Sequence, residues 1–557
     1  MTKSEKTGVF GNAFWQLLVV YTVLVVLISL SLMWKYALHF EIFAIVLALI
    51  GAVGLKHIHK DEGGGKISKA MHYGLLAIAL ILIIMFRVVP YVGNDIPLGY
   101  DAGIYKYGIE NFASEGFGSD NWVRSALTPG YLYLMALFLK FGLSSQFLLT
   151  WGFILFGLLL GFAVYLFSRE YLGERPAVIA VLLYAVSIIQ FKLFTYMYYK
   201  NVMALCTLLF ALYFLKRAGS SSHPAAPNRY HTNPPGPRSS GMHEADVSNG
   251  RGWNWNLVWF IVFGVLTGIF HRATFFLFGL AYISLVLHDW KRFRKNVLAG
   301  VLILGFTLVL YLGFWETSIL PIFAPVAEGF VDPGTAPGTF VSFFVYQFST
   351  LYYLPFAMLG FIYLIWRKKF DMLFFMTLIA GVIVYFQFFF FNRFIAHLDI
   401  FLIILAASGF SLLIDNGKKL GTGILVLMVV SAGYVTLQES INAKPLISQD
   451  GLALIEMIDS NVPGNAKVMS ISSEYSPWVL AYSNRVTIAP GLFDENKWSQ
   501  DEWEKFWGTQ DVDETKALMS SYPGEVYLFA GTASFNNPCF EEFLDSGRNK
   551  LLRYTCG

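Results

Sequence analysis

The stretch Asn94-Asp95-Ile96-Pro97-Leu98-Gly99-Tyr100-Asp101-Ala102-Gly103-Ile104-Tyr105 follows directly on an apolar run, residues 72–89, that is long enough to cross a bilayer. Glycines and a proline keep the backbone out of a continuing helix, and two carboxylates stand within seven residues. A carboxylate at the mouth of a membrane span must find water, a cation or a substrate, because hydrocarbon cannot solvate it. The plainer alternative is a wet loop in which both acids serve the turn.

Composition agrees with a membrane setting. Of 557 residues, 56% are hydrophobic and 14% charged, against about 25% charged in soluble domains, and the mean hydropathy is +0.55. A net charge of +3, with the basic residues spread over short loops, is too small to imply a nucleic-acid partner.

Apolar runs recur at 11–33, 36–55, 72–89, 147–167, 176–189, 197–215, 255–270, 274–287, 297–315, 346–366, 372–391, 394–413 and 422–437. They predict a polytopic α-helical membrane protein of about 13 transmembrane helices. The first run is too long for a signal peptide and has no small-residue cleavage site, so it reads as a retained span. Every second loop is basic. Lys3 and Lys6 precede the first run, and Lys56, Lys60, Lys66 and Lys69 follow the second. Arg169, Lys216, Lys291, Arg367 and Lys418 open the later basic loops. The positive-inside rule then places the N-terminus in the cytoplasm and the C-terminus outside.

The predicted domains are a membrane domain, 1–437, and an extracytoplasmic α/β domain, 438–557. Within the first, 71–437 is the core, 91–128 the first outer loop, and 218–254 a disordered cytoplasmic linker rich in Ser, Pro, Asn, Gly and His. The tail shows helical periodicity near Leu452, apolar strand-like segments from Val468 and Val526, and turns at Pro463-Gly464 and Pro523-Gly524. Cys206 lies in an apolar run. Cys539 and Cys556 lie in the tail and can pair if the tail is outside.

The first large outer loop with its Asp, the many spans and the outer C-terminal domain resemble the GT-C class of membrane glycosyltransferases. The motifs that carry the resemblance are Pro97-Leu98-Gly99-Tyr100-Asp101 with Thr128-Pro129-Gly130-Tyr131, then Tyr198-Tyr199-Lys200-Asn201 and Asn392-Arg393-Phe394. The tail adds Lys467-Val468-Met469-Ser470, Ser476-Pro477-Trp478-Val479-Leu480-Ala481-Tyr482 and Asn484-Arg485, similar to prokaryotic members. The likeness runs from about residue 72 onward and points toward the dolichyl-phosphate-mannose and aminoarabinose-type enzymes. It implies an inverting transfer, at the outer face of a prokaryotic cell membrane, from a polyprenyl-phosphate-sugar donor to a protein, glycan or lipid acceptor.

On this reading Asp101 is the candidate base, taking the acceptor's proton as its oxygen attacks the anomeric carbon. Lys200, Arg272 and Arg393 are predicted at outer ends of spans, against the charge rule, and are candidates for the donor phosphate; the alternative is snorkelling toward membrane-lipid headgroups. His271 and Arg124 are further substrate-binding candidates, as is Lys192. Glu110, nine residues after Asp101, either assists the site or is a solvated helix face. Tyr199, with Phe194, Tyr196 and Tyr198, forms an interfacial belt or a sugar-stacking surface. The position after Asp101 is Ala102 rather than a second acid, which leaves metal dependence (Mg or Mn) open. Asp95 and Asp120 are weaker candidates for the base or else turn residues, and the Gly/Pro-rich loop 316–342, with Glu316, Glu328 and Asp332, reads as a lid.

Three other classes share features of this pattern. An oligosaccharyltransferase shares the architecture, but its WWDYG signature is absent; Ser476-Pro477-Trp478-Val479-Leu480 stands there. A lipid-linked polysaccharide ligase or polymerase differs in the number of sugars on its donor. A transporter predicts symmetric halves with broken spans meeting at the midplane, and the sequence shows no such pair.

Overall fold

A computed structural model describes residues 68–220, 254–319, 340–388, 391–490 and 495–557, together with Leu18 and Tyr21. The expected runs 11–33 and 36–55, most of the linker, and the acids Glu328 and Asp332 lie outside the described residues. Each remaining apolar run coincides with helix. The first half contributes α1 (Lys69–Val88), α2 (Asp101–Glu115), α3 (Asn121–Ala126), α4 (Pro129–Lys140), α5 (Ser145–Leu172), α6 (Glu174–Val186), α7 (Ile188–Thr195) and α8 (Tyr199–Ser220). The second half contributes α9 (Trp255–Phe270), α10 (Arg272–His288), α11 (Phe293–Leu310), α12 (Phe343–Thr350), α13 (Leu354–Trp366), α14 (Met372–Tyr385), α15 (Phe391–Asn416) and α16 (Lys418–Asn442).

Among the described residues, six helices are long and apolar enough to cross a membrane, and eight if each of two bent pairs is one span. Helices α9, α10 and α14 are apolar but shorter. Helix α15 is apolar almost all round and accordingly buried, which makes it the axis of the bundle. Helix α11 lies at the opposite extreme. Its Leu298, Val301, Phe306 and Val309 are exposed, a face that only lipid or another protein would cover.

The two bent pairs depart from the sequence expectation. Helices α6 and α7 meet at 50° and α12 and α13 at 80°. At the first break Ser187 leaves helical geometry, and its hydroxyl accepts a hydrogen bond from the Gln190 amide at 3.2 Å, starting a new helix inside the apolar run. At the second, Pro355 in the first turn of α13 bars a continuous helix from α12. Hydropathy registers neither break, because most residues around them remain apolar.

The tail folds as a separate α/β unit. Helix α17 (Gln449–Asn461) leads into β1 (Lys467–Ser470), α18 (Ser476–Tyr482) and β2 (Val486–Ile488). Helices α19 (Gln500–Gly508) and α20 (Val512–Met519) follow, then β3 (Val526–Gly531), β4 (Phe540–Ser546) and β5 (Asn549–Tyr554). The five strands run β2-β1-β3-β5-β4. Strand β1 is parallel to β2 and β3, and β5 is antiparallel to β3 and β4, with Val468 opposite both Thr487 and Tyr527. Trp498, Trp503, Phe506 and Tyr522 fill the core on one side of the sheet. Cys539 and Cys556 form a disulfide across the base of the β4–β5 hairpin.

The bridge closes a loop of 17 residues, so breaking it is expected to destabilise the tail domain by about 3 kcal/mol. Peptide mapping of the unreduced protein should recover Cys539 and Cys556 on linked peptides, and Cys539→Ser should lower the melting temperature of the tail. Two free thiols in that map would rule the pairing out.

Candidate functional site

The loop between α1 and α2 is shaped by its own side chains. The Asn94 carboxamide accepts from the Ile96 amide at 3.1 Å, folding the chain back on itself. Gly99 then takes a positive φ of +81° and lies against the backbone of residues 195–197, where an added Cβ would come within 2.7 Å of Tyr196. Only glycine meets both demands. This contact docks the first loop on the turn after α7, and Met197 in that turn is itself at φ +57°. The docking brings Asp101, in the first turn of α2, to Lys200, in the first turn of α8.

Around Asp101 the described structure assembles a cationic cluster. Lys200 and Arg393 both act on the Asp101 carboxylate, while Arg272 and Arg393 act on Lys200. Burial pushes the Asp101 carboxyl above the usual carboxylate range, and the positive charges of Lys200 and Arg393 oppose that rise. Lys200 reaches the Ala126 carbonyl at 2.9 Å and lies 5.6 Å from the centre of the Tyr105 ring. Arg272 donates to the carbonyls of Ser318 at 2.9 Å and Ser125 at 3.1 Å. Arg393 lies 5.8 Å from the Phe340 ring centre.

His271 occupies the extended joint between α9 and α10. Its Nδ1 is 2.8 Å from the Thr274 hydroxyl, which is 2.7 Å from Nε2 of His397, and Nδ1 of His397 is 3.1 Å from the Arg393 carbonyl. The Thr274 amide donates to His271 Nδ1 at 3.3 Å, capping α10, and His397 Nδ1–H donates to the Arg393 carbonyl. A neutral His271 also suits a site that already holds three cations, and Thr274 and His397 link it to the Arg393 helix.

The structure therefore joins Asp101, Lys200, Arg272, Arg393 and His271, five of the residues predicted from sequence. It does not bring the others to them. Glu110 stands nine residues after Asp101 on one helix, half a turn out of phase at 100° per residue, and it binds Lys106 at 2.7 Å and Ser145. Arg124 turns to Asn121 at 2.5 Å and the Gly313 carbonyl at 3.5 Å. Tyr199 is fully buried, stacked on Phe153 at 4.5 Å with its hydroxyl on the Leu148 carbonyl at 3.0 Å, so it packs the bundle rather than facing a substrate. Lys192 pairs with Glu439, Tyr107 donates to Asp120, and Asp95 is exposed.

Among the described residues no group of three or more His, Cys, Asp or Glu side chains could hold a metal ion. With Glu110 facing away, no second acid among the described residues stands beside Asp101 to complete such a set. Sequence reasoning missed Tyr105, Thr274, His397 and Asp399. For the last two there was a signal, since an ionisable residue inside an apolar run is exceptional on its own.

The tail domain reaches the same place. Helix α18 lies so close to α2 that a Cβ on Gly103 would be 2.0 Å from the Pro477 carbonyl oxygen. Lys106 sits 4.6 Å from the Tyr482 ring centre, and the Tyr482 hydroxyl reaches Gln146 at 3.1 Å.

Residues 126–225 match a family described as dolichyl-phosphate-mannose-protein mannosyltransferase. No curated protein sequence matches the chain. Among solved structures, the Archaeoglobus fulgidus oligosaccharyltransferase in its apo form superposes with a TM-score of 0.62 at 14% identity, over 84% of this chain and 70% of that one. The same organism's AglB, in complex with an inhibitory peptide and a dolichol-phosphate, gives 0.59 at 15% identity with the same coverage. ArnT from Cupriavidus metallidurans, bound to undecaprenyl phosphate, gives 0.50 at 13% identity over 87% of this chain and 98% of that one. The resemblance first drawn from the Asp101, Lys200 and Arg393 motifs is upheld at the level of the whole architecture: the chain has the fold of the GT-C membrane glycosyltransferases.

Proposed function

We propose that the chain is an inverting glycosyltransferase that moves a sugar from a polyprenyl-phosphate donor to an acceptor at the outer face of the membrane. The observation that carries this reading is one helix-terminal carboxylate, Asp101, set among Lys200, Arg272 and Arg393. The acceptor hydroxyl donates to Asp101 and its oxygen attacks the anomeric carbon. The bond from that carbon to the phosphate oxygen breaks with inversion, and the proton passes to the carboxylate. The electron pair leaves with the lipid phosphate, whose growing charge the cations stabilise in a site of low dielectric. The outward orientation rests on the alternation of basic loops. The structural neighbours solved with dolichol-phosphate or undecaprenyl phosphate support a lipid-linked donor.

A second reading is oligosaccharide transfer to protein. It is favoured by the oligosaccharyltransferase superpositions and by the contact of α18, which carries Ser476-Pro477-Trp478, with the Asp101 helix. The donor distinguishes the two, being one sugar in the first and an oligosaccharide in the second.

In proteoliposomes supplied with a panel of radiolabelled polyprenyl-phosphate monosaccharides, the wild type should transfer one of them. Asp101→Asn keeps the size of the side chain but cannot take the proton. It should lose about 10²–10⁴-fold in kcat while still binding the donor. Equal rates would reduce Asp101 to a loop residue, and consumption of oligosaccharide donors alone would favour the second reading. A pH profile provides an independent check. The base works deprotonated, so activity falls on the acid side as Asp101 protonates. Lys200 holds its pKa down, so Lys200→Gln should shift the acid limb to higher pH as well as weaken donor binding. An unmoved or downward-shifted limb would contradict the assigned pairing.

A further inference from the structure

Deep in the bundle, Asp399 of α15 is completely buried. Its carboxylate accepts hydrogen bonds from the Ser187 hydroxyl at 3.0 Å, the Gln190 carboxamide at 2.7 Å and the Tyr353 hydroxyl. Among the described residues no Lys, Arg or His forms an ion pair with it. A carboxylate in an apolar bundle is tolerated only when such donors replace its hydration.

These donors come from a particular pair of places. Ser187 is the joint of the 50° break between α6 and α7, and Gln190 is in the first turn beyond it. Tyr353 is the joint of the 80° break between α12 and α13. One side chain thus ties together the two helix breaks. Gln190 adds a bond to the Ala396 carbonyl at 3.3 Å, and Tyr21 donates to the Leu351 carbonyl at 2.9 Å. A cavity of about 10 Å³ between the breaks has room for no more than a single water, so the donors cannot be rehydrated in place if the carboxylate is lost.

Both half-helices fixed in this way end at the candidate site. Helix α7 runs into the turn at 196–198 that receives Gly99 and leads to Lys200. Helix α12 follows Phe340, which lies under Arg393, and Val341, whose backbone bonds the Tyr198 hydroxyl. Arg393 itself stands on the helix of Asp399, six residues away or about 9 Å along the axis.

We infer that Asp399 is a positioning residue: it clamps the helix breaks at 187 and 351–353 against α15 and so sets the spacing of Lys200 and Arg393 around Asp101. This rests on the glycosyltransferase reading for its catalytic consequence, but the clamp itself can be observed without turnover.

The test pairs hydrogen exchange with kinetics on the full-length protein in nanodiscs. In Asp399→Asn, exchange is expected to rise in 188–198 and in 341–350 together. With the monosaccharide donor found for the wild type, kcat per folded molecule should fall roughly 10- to 100-fold, with the donor KM changed much less. Tyr353→Phe removes a single donor, and it should loosen 341–350 with a smaller loss of kcat; it carries the test if the Asn variant does not fold. Exchange unchanged in either segment of Asp399→Asn overturns the clamp. Looser segments with an unchanged kcat overturn the positioning role and leave Asp399 a stabilising residue. If the wild type transfers no sugar from any donor, the functional reading fails, and exchange alone decides whether the clamp exists.

Discussion

A cationic cluster beside an apolar bundle is costly to assemble, and the carboxylate of Asp101 is what makes the gathering of Lys200, Arg272 and Arg393 tolerable. Three positive groups against one negative group leave an excess of positive charge in a partly buried place. On the proposed reading, the departing lipid phosphate takes up that excess. The same imbalance explains why His271 and His397 fit best as neutral rings joined through Thr274, since another proton there would meet only like charges.

Much of the remaining structure serves to hold that spacing. The Gly99 contact seats the first loop on the turn that presents Lys200, and Gly103 admits the tail domain's α18 to within backbone contact of α2. Asp101 is thereby braced from the membrane side through the turn at 195–197 and from the tail side through Pro477. The helix breaks supply the third support, because half-helices can aim loops at the site in a way that straight spans cannot. Their exposed backbone ends require partners in the absence of water. Ser187 provides one for the Gln190 amide and Tyr21 one for the Leu351 carbonyl, while Asp399 binds side chains at both breaks.

Several site assignments were legible because they depend on short-range patterns. Asp101 was marked by its place at the end of an apolar run, and Lys200, Arg272 and Arg393 by standing where loop charges should be absent. Glu110 and Arg124 looked equally suitable, but the nine-residue offset of Glu110 turns it to Lys106 and Ser145, and Arg124 is taken by Asn121 and Gly313. Tyr199 shares the aromatic character of a sugar platform, yet its ring is used in packing. Asp399 is hard to single out from sequence because the run 394–413 meets the expectation of a span whether or not it holds one acid.

Hydropathy and charge order along the chain determined that this is a helical membrane protein with a polar α/β tail, since both signals are local sums over neighbouring residues. The pairing of Cys539 with Cys556 stood in the sequence only as an option; the fold of the β4–β5 hairpin brings them together. The tertiary structure alone decided which polar residues share one site, where the apolar runs break, and that a single buried carboxylate joins those breaks. Residues 101, 200, 272 and 393 become neighbours only after several spans have packed. Contacts at that separation depend on helix phase, bend angle and loop docking, none of which a one-dimensional pattern encodes.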